Sequence, residues 1–142
     1  MTAVETALTR EDRNFLRRPL HGFLTVAAGP VPPQPRPVWF ELTADDTIEL
    51  FTAAGAAKVR QLRADPRASL VVAAPVGERE RWVSLTGPVT VAPDGAADLA
   101  RRLAARYWDL DDPVRAAHLE AMLADEHLRV VLWPQRVSRV AV

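Results

Sequence analysis

Residues 82–91 alternate in polarity with a period of two, and this pattern constrains the fold more than any other in the sequence. The apolar positions share one face and the remaining positions share the other: Val83, Leu85, Val89 and Val91 against Trp82, Ser84, Thr86 and Thr90. A strand of this kind buries one side only, which is typical of antiparallel sheets. Gly87-Pro88 interrupts the run, as a bulge or bend would.

Several other β-prone segments are short and bounded by turn residues. With 82–91, the predicted strands are 23–28, 35–42, 47–52, 68–74 and 129–133, with a possible last one at 137–142. Pro35 and Pro37 cannot donate to a sheet ladder, so their strand is expected at an edge or facing something other than a strand. The segment 68–74 is continuously apolar apart from one serine, so burial on both faces is expected.

Helices separate these strands. Thr9 and Asp12 resemble a capping box that opens a helix over 10–18, and a second helix over 56–64 is ended by Asp65-Pro66. Two more follow residue 95, the last capped by Asp112 and Pro113. This order predicts a mainly β domain with α, an antiparallel barrel of about six strands with peripheral helices, over residues 1–142.

Composition excludes several classes of protein. The chain has 142 residues, 49% hydrophobic and 25% charged, with a formal net charge of +0. No global field therefore draws it to nucleic acid or an anionic membrane. It has no cysteine, which excludes disulfides and thiolate metal sites. Residues 1–11 lack the apolar core of a signal peptide, and a cytoplasmic protein without membrane spans is expected.

The segment Thr52–Arg60 is the main candidate site. A strand ends at Thr52, the small residues that follow, from Ala53 to Ala57, allow close approach, and a helix then begins. Lys58, the only lysine among 18 basic residues, lies in the first helical turn, where the helix dipole disfavours a cation unless an anion is bound. The segment therefore indicates a phosphate site, with Arg60 and Arg63 extending its positive charge. The alternative is a solvated lysine on a short surface helix.

A longer block of motifs supports the phosphate interpretation. Pro37-Val38-Trp39-Phe40, Thr52, Lys58-Val59-Arg60-Gln61-Leu62, Asp65-Pro66-Arg67 and the strand from Arg81 to Gly87 follow one another in this order. Over about residues 20–91, the chain resembles the pyridoxamine 5'-phosphate oxidase-like split-barrel superfamily. That superfamily includes FMN enzymes and reductases that use the deazaflavin F420.

The resemblance implies a split β-barrel and a homodimer with two cofactors at the subunit interface. By this match, Thr52 and Lys58 hold the cofactor phosphate, with Ala53 and Arg60 beside them. The strand Pro37-Val38-Trp39 runs along the ring system, chiefly through backbone groups. Trp82 and Ser84 approach from the facing strand, and Trp133 corresponds to a position supplied by the partner subunit.

The resemblance also implies an oxidoreductase that transfers hydride between this cofactor and a small organic substrate. We expect F420 slightly ahead of FMN, because Lys58, Arg60 and Arg63 could attract the polyanionic tail of F420. The long C-terminal motif of true pyridoxamine 5'-phosphate oxidases is missing, so vitamin B6 synthesis is not expected. The alternative is a non-catalytic flavin or haem binder of the same fold.

Other candidate residues favour structural roles. His118 with Glu120, and Glu126 with His127, lack the spacing of a zinc site, and no metal is expected. His21 precedes the first strand and is predicted to be a helix-terminal histidine with a minor cofactor role as the alternative. Ser84 has no triad partners in the pattern. No catalytic side chain is predicted, since hydride transfer is the chemistry of the cofactor itself.

Overall fold

The computed structural model describes the backbone of residues 2–5 and 7–142, and the side chains from residue 7 onward. Its elements in chain order are β1 (Thr2–Glu5), α1 (Arg10–Leu16), β2 (Gly22–Val26), β3 (Arg36–Val38), β4 (Glu41–Leu42), β5 (Ile48–Ala53), α2 (Ala57–Ala64), β6 (Arg67–Ala73), β7 (Arg81–Ala92), α3 (Ala96–Tyr107), α4 (Pro113–Leu123), β8 (His127–Leu132) and β9 (Arg136–Ala141). The predicted class is confirmed, with nine strands in the described residues instead of about six.

All strand pairs are antiparallel, and the sheet curls into a split barrel. The order is β3-β2-β6-β7-β8-β5-β4, while β9 pairs with β7 and with β1. Strand β7 belongs to both halves of the sheet. Its residues 81–86 pair with β9 and its residues 89–92 pair with β8, so two consecutive strands use the same edge of one long strand.

The predicted interruption at Gly87-Pro88 takes an unexpected form. Strand β7 continues through both residues, which stay in register with β6. The irregularity lies in the neighbouring segment between β8 and β9, where the three residues 133–135 face the two residues 87–88. A Cβ on Gly87 would lie 1.9 Å from the carbonyl oxygen of Trp133. Glycine is therefore required because the crossing chain touches the backbone of β7.

The inner faces of the strands form the core. It contains the predicted apolar face of β7, with Val83, Leu85 and Val89 buried. The helix α2 buries Val59 and Leu62, as its pattern indicates. Helix α3 packs on β5 and β8, and its Arg106 donates to the carbonyl oxygens of Leu16 (3.1 Å) and Arg17 (2.7 Å), where the dipole of α1 favours a cation.

A buried ion pair fixes α1 to the sheet. The predicted capping box is present, since Asp12 accepts from the backbone of Thr9 and Thr9 caps Asp12. The Asp12 carboxylate is fully buried and accepts from the Arg139 guanidinium on β9 at 2.6 Å. Burial by itself raises the pKa of Asp12, but the bonds from Arg139 and Thr9 outweigh it and the pKa is lowered. The carboxylate therefore stays ionised at neutral pH.

The predicted strand 35–42 is two strands. It is divided at Trp39-Phe40 into β3 and β4, which lie at opposite edges of the sheet order. At the division, the backbone of Phe40 bonds to the Tyr107 hydroxyl (3.3 Å) instead of to a strand, and its side chain is fully buried. The edge position expected for the two prolines is confirmed for Pro37 in β3, and Pro35 precedes that strand.

The expectation that 68–74 is buried on both faces is wrong for this chain. Ala68, Leu70 and Val72 of β6 are buried, but Val71 is 36% exposed and Ala73 is exposed. No helix among the described residues covers this side of the sheet. Among the residues that the structure describes, no helix combines the length and apolar character needed to cross a membrane.

We predict that Gly87→Ala destabilises the protein by about 3 kcal/mol or more, because the new methyl group overlaps the Trp133 carbonyl and the β8–β9 crossing must move. Gly55→Ala is the control, since a Cβ there meets no atom within 4 Å and should change stability by no more than about 0.5 kcal/mol. Urea unfolding measures both. Equal stabilities of the two variants would contradict the close contact between Gly87 and the Trp133 carbonyl oxygen.

Candidate functional site

A cavity of about 180 Å³ lies between the β2–β3 hairpin and the start of α2. Strand β2 and the following turn form one wall, the end of the turn and β3 another, and α2 the third. The lining residues are Leu24, Thr25, Val26, Gly29, Pro30, Gln34, Arg36, Ala57, Lys58 and Gln61. Two of the ten are cations and none is a carboxylate, so the cavity carries a net positive charge.

Lys58 is placed in the cavity by the first turn of α2. The helix begins after Ala56, whose side chain makes no capping hydrogen bond, so the start of the helix retains its partial positive charge. Lys58 is half-buried, and the described residues provide no carboxylate or hydrogen-bond acceptor for its ammonium group. Burial lowers the pKa of Lys58, and the charge of Arg36 lowers it further.

Arg36 is the site residue that the sequence pattern did not identify. It lies opposite Leu24 in the β2–β3 ladder, so it shares the inward face with Val38, and its guanidinium donates weakly to Gln34 Oε1 at 3.4 Å. The sequence carried a partial signal, because neighbouring side chains of a strand point to opposite faces and Arg36 therefore faces away from Pro37. Its convergence with Lys58 depends on the sheet order, which the sequence does not reveal.

This arrangement can bind an anion. Two cations directed at one cavity repel each other, and a bound phosphate would neutralise both and accept from the start of α2. The volume is below the roughly 300–1,000 Å³ of complete small-molecule sites. The cavity therefore suits one charged group of a larger ligand, and the rest of that ligand must lie outside it.

The other residues of the predicted phosphate segment lie outside the cavity lining. Thr52 is buried, 8% exposed, on the inner face of β5 with Ile48 and Leu50. Ala53 is exposed at the end of the same strand. Arg60 is exposed, and its guanidinium reaches the Gly55 carbonyl oxygen at 3.5 Å. The structure therefore joins Lys58 to Arg36 across the cavity and leaves Thr52, Ala53 and Arg60 at its periphery.

The predicted ring-binding strand has two different environments. Pro37 is exposed and Val38 half-buried on β3, next to the cavity residue Arg36. The Trp39 ring stacks on Tyr107 at 5.3 Å and meets Trp108 edge-on at 4.7 Å. The backbone of β3 is thus free along one edge, whereas the Trp39 side chain belongs to an aromatic cluster beside α3.

Trp82 and Ser84 lie on a different surface from the cavity. They line a shallow hollow of about 390 Å³ on the outside of the sheet, together with Val71, Ala73 and Ser138. Trp133 is 49% exposed near the β4–β5 turn, beside Asp45 and Asp46. Within one chain, neither group of residues contacts the cavity, so a shared site would require a second chain.

The histidines take part in ring contacts. His21 lies 5.8 Å from Tyr107, His118 lies 6.2 Å from Trp108, and His127 lies 5.5 Å from Phe51, all between ring centroids. The described residues contain no group of three or more His, Cys, Asp or Glu side chains that could share a metal ion.

Comparisons with known proteins agree with this fold. A family model described as pyridoxamine 5'-phosphate oxidase matches residues 8–133. A solved F420 reductase is similar with a TM-score of 0.71 and 22% sequence identity, over 92% of this chain and 98% of that chain. No curated protein gives a significant match.

Two other solved structures bind different cofactors according to their names. A FAD-binding protein from Mesorhizobium loti has a TM-score of 0.62 and 23% identity, over 100% of this chain and 99% of that chain. A heme binding protein from Mycobacterium smegmatis has a TM-score of 0.62 and 27% identity, over 90% of this chain and 51% of that chain. At 22% and 23% identity, the similarity to the F420 reductase and to the FAD-binding protein establishes the fold alone.

We predict that Lys58→Met stabilises the ligand-free protein by about 0.5–2 kcal/mol near neutral pH, because it removes a desolvated charge that faces Arg36. The folded state lowers the pKa of Lys58, so the cost of its charge is present below that pKa. The cost disappears as the pH rises through that lowered pKa, so the gain should be smaller at alkaline pH than at neutral pH.

Thermal unfolding at the two pH values measures this effect. Arg63→Met, an exposed position on the same helix, controls for the general effect of placing methionine on α2. A Lys58→Met variant that is less stable than the wild type at neutral pH would show that the charge of Lys58 does not destabilise the folded protein.

Proposed function

The chain belongs to the pyridoxamine 5'-phosphate oxidase family, and we propose that it is an oxidoreductase that uses a phosphate-bearing flavin-type cofactor, F420 or FMN, to transfer hydride to or from a small organic substrate. One observation carries the proposal: Lys58 and Arg36 converge on a cavity that contains no carboxylate to balance them. A cofactor phosphate is the group that best fits this charge and volume.

The residues of this chain would bind and orient the cofactor. Lys58, Arg36 and the start of α2 hold the phosphate, which leaves the remainder of the cofactor along the unpaired edge of β3. Pro37 has no N–H group, so it gives the free edge of β3 a backbone acceptor, its carbonyl oxygen, and no backbone donor. The cofactor supplies the hydride chemistry when bound, and the protein supplies position and exclusion of water.

The cofactor edge requires a cover, and we propose that a second copy of the chain provides it. The outer sheet face, defined as Pro37, Phe23, Val71, Ala73, Trp82, Ser84 and Ser138, runs across five strands through cross-strand pairs. All seven residues are uncharged, and Arg136, two residues before Ser138 on β9, lies on the same side beyond them. Phe23 is 42% exposed and Val71 36% exposed. A neutral, partly apolar face can pack on its own copy without like-charge repulsion.

Binding without turnover is a second candidate. It is supported by the cavity lining, which offers no acid–base group besides Lys58 and Arg36, and by the similarity to a heme binding protein. Consumption of reduced F420, or reoxidation of FMN after reduction by NADPH, in the presence of an organic acceptor would favour the oxidoreductase. Stable binding without any such reaction across acceptors would favour a carrier.

We predict that the purified protein binds FMN or F420, and that Lys58→Ala weakens this binding by about 1–3 kcal/mol, because a charge-assisted hydrogen bond to phosphate is lost. Absorbance of bound flavin and quenching of F420 fluorescence report the two cofactors. Arg63→Ala on the same helix is the control and should leave the affinity unchanged. If Lys58→Ala binds as tightly as the wild type, the phosphate is bound elsewhere.

We also predict that Trp82→Arg converts the dimer to a monomer, because each copy would place an unpaired arginine in a neutral interface. Sedimentation velocity should give twice the 15.6 kDa chain mass for the wild type. Val76→Arg is the control, since Val76 is fully exposed in a turn outside the outer sheet face. A wild-type protein that sediments as a monomer would contradict this part of the proposal.

A further inference from the structure

A different cavity, of about 820 Å³, lies at the end of the barrel, and we call it the barrel-end cavity. Its walls are α1, the turn between β6 and β7, and the end of β9 with the residue that follows it. The volume falls within the roughly 300–1,000 Å³ of small-molecule sites. The barrel-end cavity shares no lining residue with the cavity that contains Lys58 and none with the outer sheet face, so it is a separate part of the molecule.

Hydrogen bonds join the walls of the barrel-end cavity to one another. Arg18, which follows α1, donates to both carboxylate oxygens of Glu78 in the β6–β7 turn, at 2.8 and 2.9 Å. The Val142 amide donates to the Glu80 carbonyl oxygen at 2.9 Å. Arg79 Nε donates back to the Val142 carbonyl oxygen at 3.1 Å. The three walls are therefore held in place without a ligand.

Arg81 differs from the other two arginines that line this cavity. Arg18 and Arg79 use their N–H groups in the bonds just given, whereas no hydrogen bond joins the Arg81 guanidinium to any residue that the structure describes. The guanidinium lies over the Phe15 ring, 4.8 Å from the ring centroid. Stacking uses the flat face of the group and leaves the N–H donors in its plane free.

Asp12 does not satisfy these donors. Its Oδ1 lies 3.8 Å from Arg81, which is too far for a hydrogen bond. The Asp12 oxygens already accept from Arg139, at 3.0 Å to Oδ1 and 2.6 Å to Oδ2, and Oδ2 also accepts from the Thr9 amide at 2.8 Å. The Arg81 side chain is 29% exposed. Its donors are thus partly removed from water and would gain from an acceptor in the cavity.

The surroundings of Arg81 define this acceptor. A carboxylate presents two oxygens in one plane, which matches the fork of the guanidinium. Glu78 and Glu80 also line the cavity, and they repel a group with two negative charges about twice as strongly as a group with one. Phe15 and Ala74 line it as well and offer apolar contact. These features favour a carboxylate with one negative charge that is attached to an apolar body.

We propose that the barrel-end cavity binds a small organic monocarboxylate, such as an aromatic acid, with its carboxylate on the Arg81 guanidinium and its apolar body on Phe15 and Ala74. This binding site is additional to the proposed cofactor site and does not rest on it. Because the ligand contacts both α1 and the β6–β7 turn, it stabilises the folded chain in proportion to its occupancy.

A titration of the full wild-type chain near neutral pH tests the site. Benzoate is the probe, and benzamide, which has the same ring and no charge, is its matched comparison. We expect benzoate to bind with a dissociation constant below roughly 1 mM, and benzamide at least roughly 10-fold more weakly. In NMR spectra, benzoate should shift the amide signals of Ala74, Gly77 and Ala141, and should leave those of Gly29 and Ala57 beside Lys58 unchanged.

Two variants of one arginine and a control on another identify the group that binds the carboxylate. Arg81→Gln should weaken benzoate binding at least roughly 10-fold, and Arg81→Lys should also weaken it, because the charge remains but the planar fork is lost. Arg79→Gln removes an exposed cation from the same cavity and should change the affinity less than roughly threefold. A thermal melt checks that each variant is folded.

Several results would overturn the proposal. They are benzamide binding as tightly as benzoate, equal losses in Arg81→Gln and Arg79→Gln, amide shifts confined to Gly29 and Ala57, and no saturable binding of benzoate up to roughly 20 mM. If Arg81→Gln does not fold, Arg81→Lys and the wild-type titration decide. Binding of FMN or F420 is measured separately, so a failure of this site and a failure of the proposed cofactor site are distinguishable.

Discussion

The structure depends on one crossing, where the chain between β8 and β9 passes over the backbone of β7 at Gly87. Because β7 has no side chain there, the Trp133 amide donates to Pro88 O at 2.9 Å and the Gln135 amide to Thr86 O at 2.8 Å. These bonds let two successive strands use one edge of β7, which splits the barrel. The inner face of β7 then fills the core, and the same register places Trp82 and Ser84 on the outer sheet face. Strand β6 pairs with β7, β2 pairs with β6, and β3, which carries Arg36, pairs with β2.

The candidate site uses this frame to hold two like charges close together. Lys58 comes from the start of a helix and Arg36 from an edge strand, and the described residues place no carboxylate between them. Several other arginines are paired with carboxylates, such as Arg139 with Asp12 at 2.6 Å and Arg13 with Asp46 at 2.7 Å. The contrast matters because unpaired, partly buried charge destabilises a folded protein unless a ligand compensates it. In the proposed site, stability and phosphate binding therefore make opposite demands on Lys58.

Local features of the fold were readable from the sequence. The capping box at Thr9 and Asp12, the helix stop at Asp65-Pro66 and the alternation of β7 depend on neighbouring residues, and the structure confirms each. The division at Trp39-Phe40 was not readable, because it depends on Tyr107, far away in the chain. The exposed face of β6 was wrongly predicted to be buried. An apolar strand has the same sequence pattern whether its outer face is covered by its own chain or left exposed. Lys58 could be found as a charge at the wrong end of a helix, whereas Arg36 required the sheet order.

The most direct test of the account is a crystal structure of the protein with FMN. The account predicts density for the phosphate within hydrogen-bonding distance of Lys58 Nζ and the Arg36 guanidinium, in the cavity between the β2–β3 hairpin and α2. The ring system should lie along the free edge of β3 and be covered by a second copy of the chain. A phosphate bound away from both cations, with the cavity holding only water, would contradict the central claim.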